Sequence, residues 1–171
     1  MLTVLSDTHG RDTHRLEGRT LEAVRDADLV VHAGDYVTTD VLDAFESVCD
    51  LRGVAGNNDP TTVRERVPDE RVVEWQGLRI AVVHGHRHTE TALSMLGRQT
   101  NADLVVFGHS HRPEFTSSVV PLLNPGSHAD PRWSRPAHAE LEWDAAANAA
   151  RGRLVEPSGT VFERFVVEKR T

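Results

Sequence analysis

Three features of the sequence predict an α/β fold: short β-rich apolar runs alternate with amphipathic helical stretches over the first two thirds, strand-like segments then follow one another without helices, and polar residues recur wherever an apolar run stops. Ligands of open α/β sheets bind at the carboxyl ends of strands, so the third feature makes those ends the place to look for chemistry.

Leu2 to Leu5 reads as the first strand and leads into Ser6-Asp7-Thr8-His9-Gly10. If the strand continues in extended form, Asp7 and His9 point to the same side. Taken alone, the segment is equally a polar turn in which Asp7 caps a helix. Helical spacing of Leu16, Ala23, Val24 and Ala27 predicts a helix over Arg15 to Ala27, followed by a strand over Leu29 to Ala33 that ends at Gly34-Asp35. His32, inside that run, reads as a buried histidine bonded to backbone. Thr39 to Asp50 is the second helix, with Val41, Leu42, Phe45 and Val48 on one face. Leu51 to Ala55 is the third strand, broken by Gly56-Asn57-Asn58-Asp59-Pro60, where Pro60 is expected to stop any helix. Val72 to Trp75, the Gln76-Gly77 turn and Leu78 to Val83 form a hairpin ending in His84-Gly85-His86. Thr89 to Thr100 is helical. Leu104 to Phe107 ends at Gly108-His109-Ser110-His111. Beyond Phe115, Val119 to Leu123, His138 to Trp143, Arg153 to Glu156 and Val161 to Val167 predict an antiparallel sheet. Asn124-Pro125-Gly126-Ser127 is either a plain turn or part of a site lining.

At 171 residues the chain suits one domain spanning 1–171, with no repeat or linker. No apolar run reaches the roughly 20 residues of a membrane helix, and no basic leader precedes the first strand, so a cytoplasmic location is expected. Cys49 is the single cysteine, which excludes an intrachain disulfide and suits a small buried hydrophobe. The net charge of -7, with Lys169 the only lysine, argues against binding an extended nucleic acid but not a small anion.

Asp7, His9, Asp35, Asn57, His84, His109 and His111 all fall at strand ends and all are competent metal ligands. Oxygen and imidazole donors without thiolates suit a first-row divalent ion, and seven ligands with one carboxylate shared suffice for two ions. The ordered set Asp7-x-His9, Gly34-Asp35, Gly56-Asn57-x-Asp59, His84-Gly85-His86 and Gly108-His109-Ser110-His111 resembles the calcineurin-like metallophosphoesterase superfamily, in particular its small single-domain archaeal and bacterial phosphodiesterases. The similarity spans roughly Met1 to Ser127.

The resemblance implies a four-layer α/β/β/α sandwich, two packed mixed sheets flanked by helices, with the C-terminal strands in the second sheet. It implies one ion on Asp7, His9 and His111, a second on Asn57, His84 and His109, and Asp35 bridging them. The ions would be two divalent metals, Mn2+ favoured, with Fe, Zn or Ni as substitutes. The implied activity is metal-dependent hydrolysis of a small phosphodiester by a dimetal-bridging hydroxide. The alternatives are a phosphomonoesterase and a protein-binding scaffold of the same fold. Many larger relatives carry histidine where this chain has Asn58, so leaving-group protonation must come from water, from His86, or not at all; Asp35, Asn58 and His86 are the expected catalytic set. Asp59 is expected to orient a neighbour. Arg87, His88 and Arg112 flank the histidine motifs, where they could meet an anionic substrate, while His14, His128 and His138 carry less functional signal. The oligomeric state is not legible, although Trp133 offers an exposed apolar contact.

Overall fold

The computed structural model describes residues 1–170. β1 (Leu2–Leu5) is buried along its whole length. It pairs in parallel with β2 (Leu29–His32) on one side and antiparallel with β9 (His138–Asp144) on the other. A strand covered on both faces and paired along both edges has to be apolar throughout, as Leu-Thr-Val-Leu nearly is; the hydroxyl of Thr3 donates to the Ala23 carbonyl at 2.8 Å. The first sheet runs β11-β10-β9-β1-β2-β3, with β3 (Leu51–Gly53), β10 (Ala149–Val155) and β11 (Val161–Glu168). The second runs β4-β5-β6-β8-β7, with β4 (Glu70–Trp75), β5 (Leu78–Val83), β6 (Leu104–Val106), β7 (Glu114–Thr116) and β8 (Leu122–Asn124).

The alternation of side chains assigns the layers. Leu2, Val4, Leu29 and Val31 of the first sheet meet Ile80, Val82, Leu104 and Val106 of the second in the core between them. The opposite face of the first sheet packs Leu5 and Val30 against Val24, Val41, Leu42 and Phe45, which come from α1 (Gly18–Asp26) and α2 (Thr39–Glu46). Val63 of the short α3 (Thr61–Arg64) joins the same cluster. The opposite face of the second sheet packs Ala81, Val83 and Val105 against Leu93 of α4 (Glu90–Gln99). This is the four-layer α/β/β/α order that the sequence resemblance implies.

Several expectations are corrected. The C-terminal strands do not join the second sheet; β9 adds to the edge of β1 that β2 leaves free, and residues 70–124 supply the second sheet instead. The first helix starts at Gly18 rather than Arg15, because Arg15 and Gly18 both have positive φ and helical continuity is impossible there. The second helix stops at Glu46, capped by Ser47. No helix continues through Pro60; α3 begins just after it, where its missing N–H costs nothing. The strand expected at Val119 begins at Leu122, since Val119 is exposed and Pro121 has no N–H for a ladder. The β10 strand is longer than expected, starting at Ala149. Among the described residues no helix is long and apolar enough to cross a membrane.

A buried ionic knot fastens α1 to the first sheet. Glu140 of β9 accepts from Arg19 of α1 at 2.9 and 2.8 Å, from Arg153 of β10 at 2.7 Å and from His138 Nε2 at 2.9 Å. The Thr20 hydroxyl then donates to His138 Nδ1 at 3.0 Å. Burial alone would raise the Glu140 carboxyl, but these donors outweigh it and hold it far below the usual carboxylate range. A depressed carboxylate stabilises the fold above its unfolded value and loses that contribution as pH falls toward the folded one. Glu140→Gln is therefore expected to cost about 3 kcal/mol at pH 7. It should also reduce the loss of stability between pH 6 and pH 3, as measured by urea unfolding at each pH.

Candidate metal centre

The loops after β1, β2, β3, β5 and β6 gather at one end of the molecule. Backbone bonds from Asp7 N to Gly34 O at 2.9 Å and from His9 N to Asp35 O at 3.1 Å stitch the first two together. Asp7 and His9 do not share a direction through extended backbone, as the sequence reading expected. Their φ angles are 54° and 46°, and Asp35, His109 and His111 lie at 63°, 69° and 58°. Left-handed backbone at a non-glycine residue costs of order 1 kcal/mol, and here it is concentrated where the polar side chains must turn inward.

Asp7 is fully buried. Its Oδ2 accepts from Ser6 Oγ at 2.6 Å and from His109 N at 2.9 Å. Its Oδ1 has no hydrogen-bond partner and faces His111 Nε2 at 3.5 Å, His84 Nε2 at 3.9 Å and His9 Nε2 at 4.0 Å. Asp35 Oδ2 lies 3.2 Å from His9 Nε2 and 3.3 Å from His84 Nε2. Asn57 turns its amide oxygen to within 3.0 Å of both His84 Nε2 and His109 Nδ1. All seven predicted ligands are thus brought together. Their donor atoms form two overlapping groups, Asp7 with His9 and His111, and Asp7 with Asp35 and His84, each within 4.8 Å.

The chemistry of these donors fits a cation. His84 Nδ1 donates to Ala33 O at 2.7 Å and His111 Nδ1 donates to Asp130 O, so in each neutral ring the lone pair is on Nε2, pointing at carboxylate and amide oxygens. Lone pairs gathered face to face repel unless a positive charge lies among them. Buried Asp7 Oδ1, His9 Nε2 and His111 Nε2 all lack a partner. The electrostatics agree. Burial works against charge on His84, but Asp35 and Asp7 overcome it and raise its proton affinity; the Asp35 carboxylate, 3.2 Å from Nε2, does the same for His9. Burial would raise Asp35, yet His84, His9 and Asn58 hold it well below the carboxylate range. Asp7 is raised by burial despite His84 and Ser6.

Around this group lies a supporting layer. Asp59 does orient its neighbours: its Oδ2 accepts from Gly56 N at 2.7 Å and Asp35 N at 3.0 Å, and its Oδ1 from Val37 N at 2.7 Å. Any Cβ at Gly56 would overlap Asp35 Oδ1, and one at Gly108 would overlap Ser6 Oγ, so both positions require glycine for close approach. Asn58 is exposed and also tied to the Asp35 carboxylate: its amide Nδ2 donates to Asp35 Oδ2 at 2.7 Å and its backbone N to Oδ1 at 2.8 Å. His86 sits on the wall of a cleft of about 360 Å³ together with Arg87 and His88. Its proton affinity is lowered by burial, then by His84 and Arg87. Arg112 is exposed. The Asn124 to Ser127 turn proves to line the site: Asn124 Nδ2 donates to Gly108 O at 3.0 Å, and Ser127 Oγ to Asp7 O at 2.7 Å. The sequence reading missed Asp130, whose carbonyl fixes His111 and whose carboxylate lies 4.0 Å from His9 Nδ1. No motif surrounds Asp130 in the sequence. His32 is buried as expected, accepting from Gly34 N at 3.1 Å and meeting Thr8 Oγ1 at 2.9 Å.

Residues 1–144 match the model of the calcineurin-like phosphoesterase superfamily domain. The chain belongs to that superfamily. A probable metallophosphoesterase of Methanothermobacter thermautotrophicus is 34% identical to this phosphoesterase chain over 151 residues, covering 84% of it and 86% of the relative. A protein of Methanocaldococcus jannaschii named a phosphodiesterase is 26% identical, covering 72% and 81% of the two chains. The structure of wild-type Vps29 from Entamoeba histolytica complexed with zinc superimposes with a TM-score of 0.77 at 20% identity, covering 98% of this chain and 99% of that one, a likeness of fold.

In this phosphoesterase, Asp59 reaches the donor group only through backbone N–H groups, so Asp59→Asn tests the supporting layer. One carboxylate oxygen becomes an NH2 facing N–H donors. The variant is expected to lose about 2 kcal/mol of stability in urea unfolding and at least tenfold in Mn2+ affinity by calorimetric titration.

Proposed function

We propose that this chain hydrolyses a small phosphodiester at a two-metal centre, Asp7, His9 and His111 holding one ion, Asn57, His84 and His109 the other, and Asp35 shared between them. The observation that carries the reading is the convergence of unpartnered, buried acceptor atoms on Asp7, His9 and His111. Bound divalent ions would supply a water acidified toward neutrality and positive charge to offset that developing on the phosphoryl oxygens. Mixed oxygen and nitrogen donors accept Mn2+, iron, zinc or nickel, and Mn2+ is the working choice among them.

The protein's own groups divide the remaining work. Asn58 acts by positioning, since its amide bonds hold the Asp35 carboxylate and it has no proton to give near neutrality. His86, with its proton affinity lowered, is a neutral imidazole at neutral pH, suited to hydrogen-bonding an ester group rather than to protonating a poor leaving group. Activated esters are accordingly the better substrates. The acidic chain and the relative named a phosphodiesterase favour a singly charged diester over a doubly charged monoester.

With Mn2+ restored after metal stripping, cleavage of bis-p-nitrophenyl phosphate is expected to exceed that of p-nitrophenyl phosphate, and Asp35→Ala to lower it at least a thousandfold. A folded protein inactive with every divalent ion would instead leave the protein-binding scaffold reading. Asn58→Ala should slow nitrophenyl and alkyl diesters by the same factor while weakening Mn2+ binding; selective loss on the alkyl ester would restore a leaving-group role to Asn58.

A further inference from the structure

Trp133 is fully exposed, the one aromatic residue among the exposed large hydrophobic side chains of the described residues. It takes part in no aromatic pair and packs in none of the three core clusters, although an indole left in water forgoes more burial than almost any other side chain. Its loop nevertheless is not loose. A turn from Pro131 O to Ser134 N, 2.8 Å, carries Arg132 and Trp133 at its tip, and Ala137 N closes the loop on Ser127 O at 3.0 Å. At its base, Asp130 N donates to Ser127 Oγ at 2.8 Å, Ser127 Oγ donates to Asp7 O at 2.7 Å, and His111 Nδ1 donates to Asp130 O. The loop that displays the indole is therefore fastened to Asp7 and His111 of the metal centre. Asp130 Oδ2 is 3.8 Å from His111 Nδ1, and Trp133 lies three positions beyond Asp130, a span of at most about 11 Å between Cα atoms. The intervening Arg132 holds a left-handed φ of 52°, and Pro131 and Pro136 stiffen the loop on either side.

We propose that Trp133 is a specificity-determining residue, a stacking platform beside the metal centre for a phosphodiester that carries a planar aromatic group, of which the nucleobase of a nucleotide ester is the natural class. The inference rests on the phosphodiesterase reading and narrows its substrate. An indole carried on a fastened loop offers its face to any base without hydrogen-bond readout, so selectivity is for planarity rather than for one base. The exposed guanidinium of Arg132, the preceding residue, adds positive charge on the same rim, favourable to the phosphate that the sugar of such a nucleotide carries.

The test compares two esters with one leaving group, the p-nitrophenyl ester of thymidine 5′-phosphate and methyl p-nitrophenyl phosphate, on the Mn2+ enzyme. Trp133→Ala is expected to raise KM for the thymidine ester about tenfold with kcat unchanged, leave the methyl ester unaffected, and be largely rescued by Trp133→Phe. Thymidine 5′-monophosphate should quench tryptophan fluorescence in the wild type and not in Trp133→Phe. Equal effects on both esters, or none, would overturn the proposal. So would a concentration-dependent dimer in sedimentation that Trp133→Ala abolishes while KM stays fixed, which would assign the indole to contact between copies. If the wild type cleaves neither ester, the phosphodiesterase reading fails, and the quench alone then decides whether the stacking platform exists.

Discussion

Everything near the active end of this molecule depends on keeping a buried carboxylate half satisfied. One oxygen of Asp7 is tied to Ser6 and to the backbone of His109, and the other is aimed at three imidazoles with no donor to meet it. A lone carboxylate taken out of water is costly, so its environment must either protonate it or bring positive charge to it. Two of these rings, His84 and His111, have their outer nitrogens committed to carbonyls of Ala33 and Asp130, which turns their inner nitrogens into acceptors. The result is a cavity wall made of acceptors, complementary to a cation.

Such an arrangement has to be forced. Five of its residues sit in left-handed backbone, and glycines at positions 56 and 108 admit contacts that no side chain would allow. The cost is offset far from the site, in the apolar core between the sheets and in knots such as Glu140 with its two arginines. Rigidity at the site is then a property of the sheets, because the loops after β1, β2 and β6 leave strands that are buried and paired on both edges. Asp59 transmits that rigidity between loops by holding three backbone N–H groups at once.

Much of this was legible in the sequence because the informative residues repeat one grammar. An apolar run, a glycine or polar turn, then a histidine or carboxylate recurs at Asp7, Asp35, Asn57, His84 and His109, and the strands themselves were visible for the same reason. What escaped was nonlocal or conformational. Asp130 contributes mainly a carbonyl, which every residue has, and it reaches His111 only through the fold. The convergence of Asp7 and His9 was anticipated for the wrong reason, since period-two geometry says nothing about left-handed turns. Sheet membership of the last three strands was equally hidden. A strand pattern shows which face is buried but not which edge it will find.

That edge has a consequence for the order in which the protein can be made. β9 pairs with β1, so the strand that launches Asp7 lacks one of its two neighbours until some 140 residues have been synthesised. During translation the early loops emerge with their acidic and imidazole groups exposed and their sheet unfinished, while contacts between the first strand and the late hairpin close one of the longest loops in the fold. Assembly of the candidate metal centre is thereby coupled to the synthesis of β9. A nascent chain stalled before β9 would present an open strand edge to its neighbours on the same message, which makes ribosomal pausing in this region a hazard for aggregation rather than for chemistry.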